Sequence, residues 1–254
     1  MNKKIVTQFT ILTFIIMAIA WGVCVICGQF GITKSNHAWL NIPYILGGFS
    51  PTIASYLVLK RNNKVTGLKE WFKNIFTFKS GVLFYLLVVL FGVIYLVPQI
   101  LISGVKEMSP LYMFFLNLPI MLVGGGMEEA GWRYILQPEL DKKYRFILSS
   151  VIVAVIWSVW HLPLFFIPDV GQYGENFGLF ALGVLGLTFA LGAIRKISGN
   201  VFLCVLFHCI ANAGTTTFIF QRTLPGVAVM SGLMIIVSTI AVFAYKSQKK
   251  THIL

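Results

Sequence analysis

Apolar stretches approaching or passing about 20 residues recur along the whole of this 254-residue chain. A run that long and that apolar reads as a helix crossing a membrane. Composition agrees, since 57% of residues are hydrophobic and only 11% charged, against roughly 25% charged in an ordinary soluble domain. The expectation is an all-α polytopic membrane protein with about eight spans. They fall at about 6–28, 40–60, 81–103, 110–132, 146–167, 177–194, 199–221 and 225–245. Residues 1–254 read as one integral membrane domain with a motif-bearing core at about 110–221, without an internal repeat, a soluble domain or a long linker.

The formal net charge of +12 could suggest nucleic acid, but its distribution argues against that partner. Basic residues gather in short segments between spans, the pattern that sets membrane orientation. With the N-terminus inside, cytoplasmic segments hold Lys3 and Lys4, then Lys60, Arg61, Lys64, Lys69, Lys73 and Lys79. Arg133, Lys142, Lys143, Arg145, Arg195, Lys196, Lys246, Lys249 and Lys250 follow, leaving only Lys34, Lys106 and Arg222 outside. The reading is a multi-pass cell-membrane protein with both termini cytoplasmic and membrane lipids as partners; oligomeric state is not legible.

The first span resembles a signal peptide where Lys3-Lys4 precede an apolar run containing Ala18-Ile19-Ala20, but the run continues through Trp21 to Cys27 and is read as a span. Between spans two and three, Leu68, Trp71, Phe72, Ile75 and Phe76 recur at helical spacing with lysines mostly opposite, as in an interfacial helix on an anionic leaflet. Cys24, Cys27, Cys204 and Cys209 lie in apolar segments and read as packing residues, although Cys24-x-x-Cys27 has a redox spacing. The segment from Pro168 to Asn176 reads as an exposed outer turn with solvated carboxylates, and His37 and His252 read as solvated.

The exception to this apolar pattern is Gly124-Gly125-Gly126-Met127-Glu128-Glu129-Ala130-Gly131-Trp132-Arg133. Ionisable groups at membrane depth are costly unless paired or solvated, and so are commonly functional. On a helix Glu129 and Arg133 are i,i+4 neighbours and can neutralise each other. Glu128 points about 100° away and lacks a local cation. His161 and His208 also sit inside apolar spans, each with a same-face companion, Trp157 one turn before His161 and Asn212 one turn after His208. Small residues at Gly124 to Gly126, Gly131, Ala211, Ala213 and Gly214 let these segments approach closely.

Glu128, His161, His208 and Asn212 can thus form a hydrolytic site. The glutamate takes a proton from water and passes it to a leaving amine. One histidine holds the water, while the other and Asn212 donate to the developing oxyanion. Alternatively, Glu128, His161 and His208 are the ligand types of a two-histidine, one-glutamate zinc site. No His-Glu-x-x-His motif demands zinc, and both mechanisms stay open.

Taken in order, Glu128-Glu129-x-x-x-Arg133, an aromatic-x-x-x-His161 and His208-x-x-x-Asn212 resemble the CPBP family. These are the CAAX proteases and bacteriocin-processing enzymes, also called Abi, and they include the Ras-converting CAAX endopeptidases. The resemblance spans about Gly124 to Thr217, with a weaker likeness at Gly47-Gly48-Phe49-Ser50-Pro51-Thr52. It implies an eight-helix intramembrane endopeptidase with Glu128, His161, His208 and Asn212 as its site. It also implies that Glu129 and Arg133 are mainly structural. The family's second motif usually begins with Phe, and Trp157 departs from it by adding an N–H donor and volume.

The substrate expected is a membrane-associated peptide or lipidated protein, cleaved near the cytoplasmic face. A non-catalytic bacteriocin-immunity or peptide-binding protein is the second reading. A proton-coupled transporter is the third, though no inverted repeat supports it. One difficulty is depth. Glu128 lies near the cytoplasmic end of the expected fourth span and His161 about fifteen residues into the fifth, a separation of roughly 22 Å. The two meet only if span ends differ or helices break, and Gly124 to Gly126 and Pro163 are the natural break points.

Overall fold

The computed structural model describes residues 1–251, so His252 lies outside the described residues. The chain is helical almost throughout. Helix α1 (Lys3–Gln29) is capped by the Asn2 side chain and is followed by α2 (Asn41–Gly48) and α3 (Ser50–Arg61). The amphipathic segment forms α4 (Leu68–Ile75), and α5 (Val82–Ser103) runs into the short strand β1 (Val105–Met108). Next come α6 (Tyr112–Ile120), a 3-10 turn at Gly126–Glu128, α7 (Glu129–Gly131), a π-helical turn at Trp132–Leu136 and α8 (Gln137–Asp141). Helix α9 (Phe146–His161) passes into a 3-10 turn at Leu162–Phe166 beside Pro163. The chain finishes with α10 (Phe177–Ser198), α11 (Val201–Thr217), strand β2 (Phe218–Phe220) and α12 (Leu224–Thr251).

Five helices among the described residues are long and apolar enough to cross a membrane, and α2 with α3, bent by 50°, makes a sixth as one broken span. The remaining two expected spans depart from a simple rod. Helix α11 is shorter, with 17 residues, and the fourth span is interrupted. Its chain breaks between α6 and the 3-10 turn, at the glycines, where Gly125 takes φ 135°, a backbone conformation that disfavours a side chain. Beyond the break, helical structure continues to Asp141 rather than ending near residue 132. Glu128 is therefore mid-span, not at a span end, which removes the 22 Å depth conflict.

Two strands not foreseen in the sequence pair antiparallel, Val105 opposite Phe220 and Met108 opposite Phe218, with a register irregularity between Val105 and Glu107. They join the ends of α5 and α11, and Ser109 N–H donates to the Thr217 carbonyl at 2.9 Å. In α4, Trp71 and Ile75 are buried while Leu68 and Phe72 stay exposed. The apolar face is thus shared between the protein, where the Trp71 indole donates to Ser55 Oγ, and the surroundings. Cys24, Cys204 and Cys209 are buried, Cys27 is half-buried, and all four are free thiols.

The interrupted span is held by α1 and α3. Thr52 Oγ1 donates to the Met127 carbonyl at 2.7 Å, and the Trp160 indole donates to Ser50 Oγ at 2.9 Å. This gives the Ser50-Pro51-Thr52 segment a physical role as a brace behind the site. Gly131 lies so close to it that an added Cβ would sit 2.6 Å from Pro51 Cβ and 2.8 Å from both Pro51 O and Phe9 Cζ. Backbone and ring cannot both yield, so Gly131→Ala is expected to destabilise the protein by about 1–3 kcal/mol through overpacking. A thermal unfolding series in detergent checks this, and an unchanged midpoint would contradict the brace.

Candidate active site

A cavity of about 680 Å³ lies at the centre of the bundle, and Glu128, Trp157, His161, His208 and Asn212 all line it. The four residues expected to carry chemistry are thus brought to one space from three segments: the interrupted span, α9 and α11.

Glu128 is 8% exposed. Its Oε2 accepts the Trp157 indole N–H at 2.8 Å and the Trp132 indole N–H at 3.4 Å. Both donors take the same oxygen, and among the described residues none bonds to Oε1. Among the described residues Glu128 forms no direct ion pair, in line with the sequence, and two indoles orient it instead. Trp132 is four residues beyond Glu128, a helical-face spacing that could have revealed it.

Glu129 is fully buried and performs two tasks. Its Oε2 lies 3.3 Å from Nη1 of fully buried Arg133, and its Oε1 accepts from His208 Nδ1 at 2.8 Å. The ion pair was legible from i,i+4 spacing; the histidine contact was not, because it joins residues 79 apart in sequence. Arg133 is consequently an interior residue rather than part of a cytoplasmic loop. Its guanidinium also stands over the Trp157 ring, 4.9 Å from the centroid.

Both histidines present Nε2 as the uncommitted ring nitrogen. His161 Nδ1 is 2.8 Å from the Trp157 carbonyl, an atom that can only accept, so Nδ1 carries the proton. His208 Nδ1 is committed to Glu129, and a Cβ at Gly125 would come within 3.0 Å of His208 Nε2 and 2.5 Å of Asn212 Nδ2. That close approach is why the position takes glycine. Asn212 Nδ2 donates one proton to the Gly124 carbonyl at 2.8 Å, pinning the chain break, and has a second to offer.

Trp157 is the hub of this arrangement: its N–H orients Glu128, its carbonyl orients His161, and its ring touches Arg133 and His208. Trp157→Phe keeps a ring but removes the donor to Glu128. A hydrogen bond to a charged group contributes about 1.5–3 kcal/mol, so kcat is expected to fall at least about tenfold with the fold retained. Turnover of purified protein checks this; wild-type kcat would mean that the indole does not position the carboxylate.

Among the described residues, no group of three His, Cys, Asp or Glu side chains is placed to hold a metal ion. The three zinc-ligand types of Glu128, His161 and His208 share the cavity without closing into one coordination shell. The outer segment 168–176 is also more engaged than a free turn. Ser35 donates from both N–H and Oγ to Asp169 Oδ2, at 3.2 and 2.6 Å, and holds that carboxyl below its usual range. Gln172 and Glu175 reach the cavity wall.

A helical membrane protein with a glutamate, two histidines and an asparagine around an internal cavity is a candidate intramembrane hydrolase. Residues 109–214 match the family model described as type II CAAX prenyl endopeptidase Rce1-like. The chain is also 24% identical over 226 residues to CAAX prenyl protease 2 of Methanococcus maripaludis, covering 79% of this chain and 80% of that protein. These similarities agree with the resemblance to CAAX-type proteases read from the motifs, and they support a protease.

Proposed function

We propose that this protein is an intramembrane endopeptidase that cleaves a membrane-associated peptide or protein with water activated by Glu128. The observation that carries the proposal is the divided state of the Glu128 carboxylate. Oε2 is fixed by two indoles, while Oε1 is left for water in a cavity shared with His161, His208 and Asn212.

A water on Glu128 Oε1 can give its second hydrogen to His161 Nε2, which aims a lone pair at the scissile carbonyl. Glu128 takes the first proton as the C–O bond forms and returns it to the amine as the C–N bond breaks. Asn212 supplies an amide N–H to the oxyanion, and His208 Nε2 adds a second donor when the ring is protonated. Glu129 and Arg133 stand behind, holding His208 and each other.

The test is cleavage of a panel of quenched peptides, some prenylated, by detergent-purified protein, with metal content measured on the same sample. Cleavage is expected to survive chelation and to depend on His161 through the position of water. Stoichiometric zinc lost together with activity in His161→Ala would replace this reading by a metalloprotease.

A further inference from the structure

The side of the membrane from which the cavity is reached can be read from how the two ends of the bundle are tied. At one end, Lys196 Nζ pairs with Asp141 Oδ2 at 2.7 Å and Arg195 Nε donates to the Arg133 carbonyl at 2.9 Å. Asn200 Nδ2 donates to Thr77 O and Ser80 Oγ, and Asn2 N–H donates to Glu139 Oε2 at 2.6 Å. These bonds join the N-terminus, the α4–α5 connection, the α8–α9 connection and the α10–α11 connection into one surface. It carries Lys3, Lys4, Lys73, Lys79, Lys142, Lys143, Arg145, Arg195 and Lys196, and α4 lies in the same region.

The opposite end is tied equally clearly. Ser35 bonds Asp169, β1 pairs with β2, and Ser103 Oγ and Thr223 Oγ1 are 2.7 Å apart. Its connections are poor in basic residues, with Lys34, Lys106 and Arg222. The cavity runs from Glu128 and His208 toward this end: Gln172, Glu175, Phe220 and Arg222 all line it, and no residue of the basic surface does. Short connections rich in Lys and Arg stay in the cytoplasm.

We infer that the catalytic cavity opens on the extracytoplasmic side, so that its substrate is an extracytoplasmic peptide or the outer segment of a membrane protein. A cytoplasmic lipidated C-terminus would approach the closed, basic end. On this reading cleavage occurs on the outer side rather than near the cytoplasmic face, because the interrupted span places Glu128 in the middle of the bundle with its open space away from the basic end. Inside, Trp21, Tyr44, Tyr95, Trp157 and Phe180 place aromatic rings in the wall beside the polar site residues, so the entering segment carries apolar side chains along with its peptide bond. At the mouth, Arg222 stands over the Phe180 ring at 5.7 Å from its centroid, with Glu175 also in the wall.

The access inference does not depend on catalysis, although the word substrate rests on the proposed endopeptidase. The first experiment therefore needs no activity. Full-length protein in intact cells carries Gln172→Cys at the mouth or Lys143→Cys at the basic end, and is treated with a membrane-impermeant maleimide. The native thiols are buried or half-buried, and the parent chain sets the background. Gln172→Cys is expected to label equally before and after permeabilisation, and Lys143→Cys only after it. Labelling of Lys143→Cys in intact cells, or protection of Gln172→Cys until permeabilisation, overturns the inference.

A membrane-impermeant quenched peptide with an apolar centre is then added to right-side-out and inverted vesicles. Cleavage by right-side-out vesicles alone is expected, and cleavage by inverted vesicles alone overturns extracytoplasmic access. If labelling follows the expected pattern but neither orientation cleaves, the accessibility result stands and the endopeptidase reading is what fails.

Discussion

Glu128→Gln is expected to reduce turnover by about two to four orders of magnitude while leaving the protein folded. The substitution is nearly isosteric, and the glutamine carbonyl can still accept the Trp157 and Trp132 indole donors that fix Oε2. What changes is the other side of the group. An amide –NH2 replaces the oxygen that faces the cavity, and it can neither take a proton from water nor return one to a departing amine. The measurement is single-turnover cleavage together with a melting curve. Full activity in a folded variant would remove Glu128 from the chemistry.

Arg133→Leu is expected to destabilise the protein by about 3–5 kcal/mol, because it leaves Glu129 buried and without its cation. Arg133 and Glu129 are both fully buried, so water cannot replace the lost partner. A folding comparison in detergent, with Glu129→Leu/Arg133→Leu beside the single variant, separates charge from packing. Replacing both charges by apolar groups restores much of the stability, since a buried ion pair and an apolar pair are often close in free energy. Activity stays low in the double variant because Glu129 Oε1 is also the acceptor that holds His208 Nδ1. Recovery of both stability and turnover would show that the glutamate serves only its arginine.

The candidate site residues stand out in the sequence because polar side chains are conspicuous in apolar runs. Glu128, His161, His208 and Asn212 all reach the same cavity. The i,i+4 relation of Glu129 and Arg133 needed only local geometry. Trp132 and Trp160 were passed over because an indole within a membrane span is indistinguishable from packing until its N–H finds Glu128 or Ser50. Gln172 and Glu175 could not be assigned to the cavity either, since the fold of an outer connection over the bundle depends on contacts such as Ser35 to Asp169. Glycines announced the break in the fourth span. Where helix resumed and how far it ran were set by the brace from Ser50 and Thr52, which no local pattern encodes.

The π-helical turn at Trp132–Leu136 separates Glu128 from the end of the span at Asp141. Such a turn holds one more residue than an α-turn, and residues along a regular helix are about 100° apart. The angular setting of Glu128 relative to the anchored α8 is thus encoded as a length of chain. Closing that turn to ordinary α-helix by removing one residue would rotate the carboxylate away from Trp157 with every site residue still present. For this protein, the spelling of the motif and the spacing behind it are separate requirements, and a sequence can satisfy the first while failing the second.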